Sequence, residues 1–183
     1  MFYFLVATFS IVLIGSLLMN HVFPPQKPNL ESFFSQNRSF SSKEEGLVQE
    51  IKKIESEWVY STITFLPHAA GLPMHIHEGF DEHFTVEKGQ LSIIIDGQKK
   101  ILKPGESITI PKGTPHKPFN ETDELVVIND KNFANPTMPV AFAYGLSQMY
   151  PYMDKVGSKS PKMLLKLAVL GNQFDTWVAD VPI

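Results

Sequence analysis

Cysteine is absent from the 183-residue chain. Disulfides, thiolate metal sites, cysteine nucleophiles and lipid attachment at cysteine are thereby excluded. Arginine is nearly absent as well: among 16 basic residues only Arg38 carries a guanidinium, and it lies outside the β-rich middle of the chain. A bidentate arginine clamp for a carboxylate or phosphate substrate cannot be built there. Excess positive charge is also missing. With a net charge of -3 there is no electrostatic case for nucleic acid, and none is expected as a partner. Hydrophobic residues at 43% and charged residues at 19% describe a globular protein, long enough for one domain with accessory structure.

Charge is missing altogether from residues 2–19, FYFLVATFSIVLIGSLLM. As a helix this run is about 27 Å long, close to the hydrocarbon thickness of a bilayer. A cleaved secretory signal would also be apolar. However, no Lys or Arg precedes the run, the run is long for a signal core, and no clear small-x-small cleavage site follows. A buried soluble helix is disfavoured because no polar face interrupts it. Residues 1–23 are therefore read as a membrane anchor, with the side of the membrane open.

Residues 24–45, rich in Pro, Ser and charge, read as a linker in which the Phe33–Phe34 pair docks on the rest. In LVQEIKKI, apolar residues at 48, 51 and 54 favour a helical period, with a strand as the alternative. From Trp58 onward the texture is short β-type runs broken by turns. Asp96-Gly97 between two such runs is a strong hairpin signal, because both turn positions need positive φ. Pro104-Gly105 and Lys112-Gly113 bracket another short strand. Residues 46–132 are expected to be an all-β barrel or sandwich. Residues 133–183 read as a helical extension packed outside it, with Ser160 capping a second helix that Gly171 ends; for that second helix, lying in the membrane interface beside the anchor is the alternative.

Histidine is scarce, yet His75-Ile-His77-Glu-Gly-Phe-Asp-Glu82-His83 holds three of the six. His75 and His77 are two apart and share one face of a strand. If the chain returns through a turn at Glu78–Phe80, Glu82 joins them in a two-His, one-carboxylate set of the kind that holds Fe(II) or Mn(II). His116, after the tight turn PKGTPH, is a fourth candidate. By parity His83 points away, and Glu78 and Asp81 are solvated turn residues.

These residues fall into two longer patterns. The first runs His75, His77, four residues, Glu82, six residues, Gly89. The second runs Gly105, five residues, Pro111, Gly113, two residues, His116, three residues, Asn120. Over roughly residues 55–130 the chain resembles the cupin superfamily, single-domain and type-2-like, with both motifs met. One departure is Gly71, which stands four residues before His75 where the family's opening glycine usually stands six before. The resemblance implies a jelly-roll β-barrel with His75, His77, Glu82 and His116 as ligands to one divalent metal, of the Fe, Mn, Ni or Zn group. It further implies a metal-dependent oxygenase or isomerase, or else a non-catalytic ligand-binding or sensory cupin. With no arginine in the barrel, the small-molecule ligand or substrate is expected to be neutral. Phe84 shares parity with Glu82 and Phe119 lies near His116; both are expected as barrel core, with cavity lining as the alternative. A homodimer through strand edges is also expected.

The anchor reading has a direct check. The full chain should stay with membranes through high-salt and carbonate washes, and a chain beginning at Leu30 should be soluble. Recovery of a mature chain lacking residues 1–20 would establish signal cleavage instead.

Overall fold

The computed structural model describes residues 28–128 and 135–179. The expected anchor over residues 1–23 lies outside the described residues. Among those described, no helix is long and apolar enough to cross a membrane. In chain order the elements are α1 (Leu30–Gln36), β1 (Ser39–Ser42), β2 (Leu47–Glu55), β3 (Trp58–Phe65), β4 (His75–Ile76), β5 (Glu82–Lys88), β6 (Leu91–Ile95) and β7 (Gln98–Leu102). There follow β8 (Ser107–Ile110), β9 (His116–Phe119), β10 (Val126–Ile128), β11 (Met138–Pro139), α2 (Val140–Val156), α3 (Pro161–Phe174) and β12 (Trp177–Val178).

The strands form two antiparallel sheets around a shared core. One runs β1-β2-β3-β10-β5-β8, with β11 beside the start of β3; the other runs β12-β4-β9-β6-β7. Alternation along β3 and β5 decides which side chains enter. Val59, Ser61, Ile63 and Phe65 face in from β3, and Glu82, Phe84 and Val86 from β5. Leu91 and Ile93 of β6 are buried in the same core cluster. The hairpin between β6 and β7 closes on Asp96 and Gly97 at φ 48° and 74°, as that turn requires.

Three sequence expectations need correction. Residues 47–55 are a strand rather than a helix. Leu47, Gln49 and Ile51 alternate inward, and a register shift between Ile51 and Lys53 carries the pairing with β3 to its end. That shift also explains the misleading spacing of Val48, Ile51 and Ile54, since a bulge breaks the two-residue period. The supposed linker is structured where it is described. Asn29 caps α1 by accepting from the Ser32 amide at 2.9 Å, Phe34 is fully buried, Phe33 meets Tyr144 edge-on at 5.0 Å, and β1 extends the sheet. Helix α3 begins as expected, with the Met163 amide donating to Ser160 Oγ at 3.2 Å, but it continues past Gly171 to Phe174.

The C-terminal helices are also more than an outer layer. Helix α2 sends Phe142, Leu146, Tyr150 and Met153 into the core shared with the strands. Its last turn is fastened by Asp154. That carboxylate accepts from Ser42 Oγ at 2.8 Å and from the amides of Lys43 and Glu44 at 3.0 Å each. These bonds outweigh the opposing effect of desolvation and hold the Asp154 carboxyl below its ordinary range.

Asp154→Ala should therefore destabilise the fold by about 1 kcal/mol, below the usual value for charged hydrogen bonds because solvent screens an exposed carboxylate. A depressed carboxyl stabilises the fold above its unfolded pKa, and this is lost as pH falls through the folded value. The difference between wild type and variant in urea unfolding should accordingly be full at pH 6 and shrink below pH 3.8.

Candidate metal centre

Two adjacent strands, one turn and the start of a strand in the other sheet assemble the site. His75 of β4 lies directly opposite His116 of β9 in the antiparallel register. His77 continues the parity of His75, and the turn through Gly79 brings the chain back to Glu82 at the start of β5, in the other sheet. The turn before His116 is held to the first motif by a hydrogen bond from the Gly113 amide to the His77 carbonyl, 2.6 Å. Gly113 has φ 80°, a conformation in which a β-branched residue is strongly disfavoured. Gly71, at φ 68°, approaches the Pro118 carbonyl too closely for any side chain, so the shifted family glycine still shapes a turn.

The four side chains converge. One ligand atom from each of His75, His77, Glu82 and His116 lies within 4.8 Å of all the others, and all four residues are buried. The outer nitrogens set the orientation. Nδ1–H of His75 donates to the Pro73 carbonyl at 2.7 Å, that of His77 to the Asp175 carbonyl at 2.7 Å, and that of His116 to the Thr114 carbonyl at 2.9 Å. A carbonyl can only accept, so each ring carries its proton on Nδ1 and turns Nε2 inward. Imidazoles that bind metals are commonly anchored in this way. His77 is further fixed between Phe80, stacked at 4.4 Å, and Phe142, edge-on at 4.8 Å.

The electrostatics of the set are uneven. Nε2 of His116 reaches Glu82 Oε2 at 2.8 Å, whereas Nε2 of His77 is buried without a partner, 4.0 Å from the same oxygen. Burial opposes charge on both members of the close pair. The hydrogen bond between them prevails, raising His116 and lowering Glu82 from their ordinary values. Burial, with the fields of His116 and His77, pushes His75 down to about 3. The donor set of three imidazole nitrogens and one carboxylate suits a divalent first-row ion, and the set can hold one.

The other residues flagged in the sequence fall elsewhere. His83 faces outward and meets Thr109 Oγ1 at 2.9 Å, while Asp81 accepts from the Lys112 amide at 2.9 Å in the turn. Glu78 is exposed. Phe84 lines the cavity beside the cluster; Phe119 does not, because its ring lies under Lys99 Nζ at 5.7 Å on the opposite face and Pro118 takes the inward position. Sequence reasoning missed Phe142, Leu146 and Tyr150 of α2, which line that cavity, and Asp175. Their signal was only an ordinary amphipathic helix and a lone aspartate.

Residues 61–129 match the family Cupin_2, a cupin domain. An uncharacterized protein of Aquifex aeolicus is 37% identical over 86 residues, covering 46% of this chain and 69% of that protein. Oxidoreductase iacF of Pestalotiopsis fici is 31% identical over 112 residues, 56% of this chain and 54% of that protein, so the chain spans about half of that relative. Among solved structures, KdgF from Halomonas sp. aligns with a TM-score of 0.43 and 26% identity, over 51% of this chain and 84% of that one.

Two pH effects are expected of the metal-free site. Below the raised pKa of His116 its Nε2 proton sits on the bond to Glu82, so an entering divalent cation should displace about one proton. Calorimetry near pH 6.5 in buffers of different ionisation enthalpy should register that release, and it should fade at higher pH. His75 is depressed on folding, so the unfolded chain takes up a proton between pH 6.5 and about 3 that the folded chain refuses. Stability of the metal-free protein should fall as pH drops through that window.

Proposed function

The chain belongs to the cupin superfamily, and from that premise we propose a metal-dependent cupin acting as an oxygenase or isomerase on a small neutral molecule. In this reading His75, His77, Glu82 and His116 hold one divalent ion of the Fe, Mn, Ni or Zn group. The observation that carries it is Nε2 of His77, buried without a partner while Nδ1 is tied back to a carbonyl. An unsatisfied buried polar atom costs about 1–3 kcal/mol, and a cation at the centre relieves that cost. When bound, the ion supplies Lewis acidity and open coordination positions for a substrate oxygen or for dioxygen.

The chain's own residues supply the surroundings. Ile63, Phe65, Phe84, Met138, Phe142 and Leu146 form an apolar wall that excludes water from the centre. Among the described residues no lysine or arginine lines this cavity, which supports a neutral ligand. Gln49 also lines it, and its buried amide oxygen has no partner, so it can accept from a ligand hydroxyl. Burial raises the Tyr150 phenol, which keeps it protonated and makes it a donor rather than a base. The likeness to oxidoreductase iacF supports a redox reaction over an isomerisation.

One observation favours a second reading, a non-catalytic ligand-binding or sensory cupin. With α2 seated the cavity measures only about 30 Å³, and among the described residues no imidazole or carboxylate other than His75 and Glu82 lines it. In either reading residues 2–19 tether the domain to a membrane, and a homodimer would pair through strand edges.

Metal analysis of the purified full chain tests the centre. Wild type should carry close to one divalent ion per chain; His77→Ala and His116→Ala should each lose most of it, and His83→Ala should retain it. Equal retention in all three variants would remove the assignment. A screen of neutral small molecules that follows both dioxygen consumption and conversion of the added compound to an isomer then separates the enzyme from the binding module.

A further inference from the structure

Asp175 lies between α3 and β12 at φ 50°, a left-handed conformation uncommon for residues with side chains. Three hydrogen bonds account for its position. Its carbonyl accepts from His77 Nδ1 at 2.7 Å, and its carboxylate accepts from the amides of Glu78 at 2.9 Å and Gly79 at 2.8 Å. A residue 96–98 positions away in sequence thus grips three consecutive residues of the turn joining His77 to Glu82. The approach depends on glycine: a Cβ at Gly79 would stand 2.9 Å from Asp175 Oδ2.

The neighbours of Asp175 fasten it from both sides. Phe174 packs so closely on Gly145 of α2 that a Cβ there would lie 2.5 Å from its ring. Beyond Asp175, β12 pairs Trp177 with Ile76 and Val178 with His75, and the Ala179 amide donates to the Met74 carbonyl at 2.9 Å. Strand β4 is two residues long and meets β9 through a single register pair, so β12 supplies most of its lateral support.

We infer that Asp175 is the positioning residue of His77, and that filling of the metal centre and docking of residues 174–179 are thermodynamically linked. The first half concerns the ring itself; the second rests on the metal reading above. Through the carbonyl, Asp175 keeps the His77 proton on Nδ1 and Nε2 aimed inward. Through the carboxylate, it holds that carbonyl in place against the turn. Linkage is reciprocal, so whatever factor docking contributes to metal affinity, metal contributes to docking.

The test uses the full chain, metal-free and with Zn²⁺, as wild type, Asp175→Ala and Asp175→Asn. Nitrogen-15 spectra of the imidazoles report the His77 tautomer without metal. Chelator competition reports Zn²⁺ affinity, and hydrogen exchange reports docking at residues 176–179. Wild type should show the Nδ1–H tautomer alone, and Zn²⁺ should slow exchange at 176–179. Asp175→Ala should show mixed tautomers and bind Zn²⁺ about 10–100-fold more weakly, the range for loss of a group that orients a metal ligand. Asp175→Asn tolerates the left-handed backbone and keeps one acceptor, so it should fall between the two.

A folded Asp175→Ala with the wild-type tautomer and Zn²⁺ affinity within about threefold of wild type would overturn the proposal, even with a lowered melting temperature. If Asp175→Ala does not fold, Asp175→Asn decides by the same measures: mixed tautomers with several-fold weaker binding support the role, and wild-type values overturn it. A wild type that binds no Zn²⁺ or other divalent ion would sink the metal reading and the linkage. The tautomer spectra would still decide whether Asp175 positions His77.

Discussion

Three imidazoles and a carboxylate share the inside of this barrel, and the arrangement depends on how their protons are placed. Each ring gives its Nδ1 proton to a backbone carbonyl at the periphery, which leaves the Nε2 atoms facing one another and Glu82. Without those three carbonyls nothing would fix which ring nitrogen carries the proton, and the centre would become a set of unsatisfied dipoles in apolar surroundings. With them, the geometry is set before any ion arrives. The cost of that preparation is visible in the unpartnered Nε2 of His77 and in the depressed pKa of His75. Groups prepared at such expense are characteristic of sites that bind something.

The same centre explains why the surrounding core is apolar and why a helix covers it. Coulombic and hydrogen-bond interactions strengthen when water is excluded. The inward faces of β3 and β5, which share one sheet, provide one wall, and α2 adds Phe142, Leu146 and Tyr150 as another. Phe142 has two roles, since its ring edge also braces His77.

Two aspartates join the C-terminal part of the chain to turns of the barrel in the same chemical manner. Asp154 receives two amides and a hydroxyl from residues 42–44, and Asp175 receives two amides from the turn between His77 and Glu82. Turn amides are otherwise solvated, so a carboxylate that collects two of them gains charge-assisted bonds for little loss of chain freedom. Near the β1–β2 turn this fastens a helix. Beside the four-residue cluster it fastens the helix-to-strand connection to the turn between His77 and Glu82.

The sequence by itself determined which four side chains would be brought together, and most strands. His75, His77, Glu82 and His116 were legible because alternation and motif spacing act over short distances, where chain geometry leaves few alternatives. The Asp96-Gly97 hairpin and the Ser160 cap were legible for the same reason. Residues 47–55 misled because a bulge imitates a helical period, and β2 is specified by pairing with β3 rather than by its own pattern. Phe33–Phe34, Phe142 and Asp175 found their partners only in the folded chain. Their contacts cross long stretches of sequence, so packing and hydrogen-bond geometry, not local periodicity, select them.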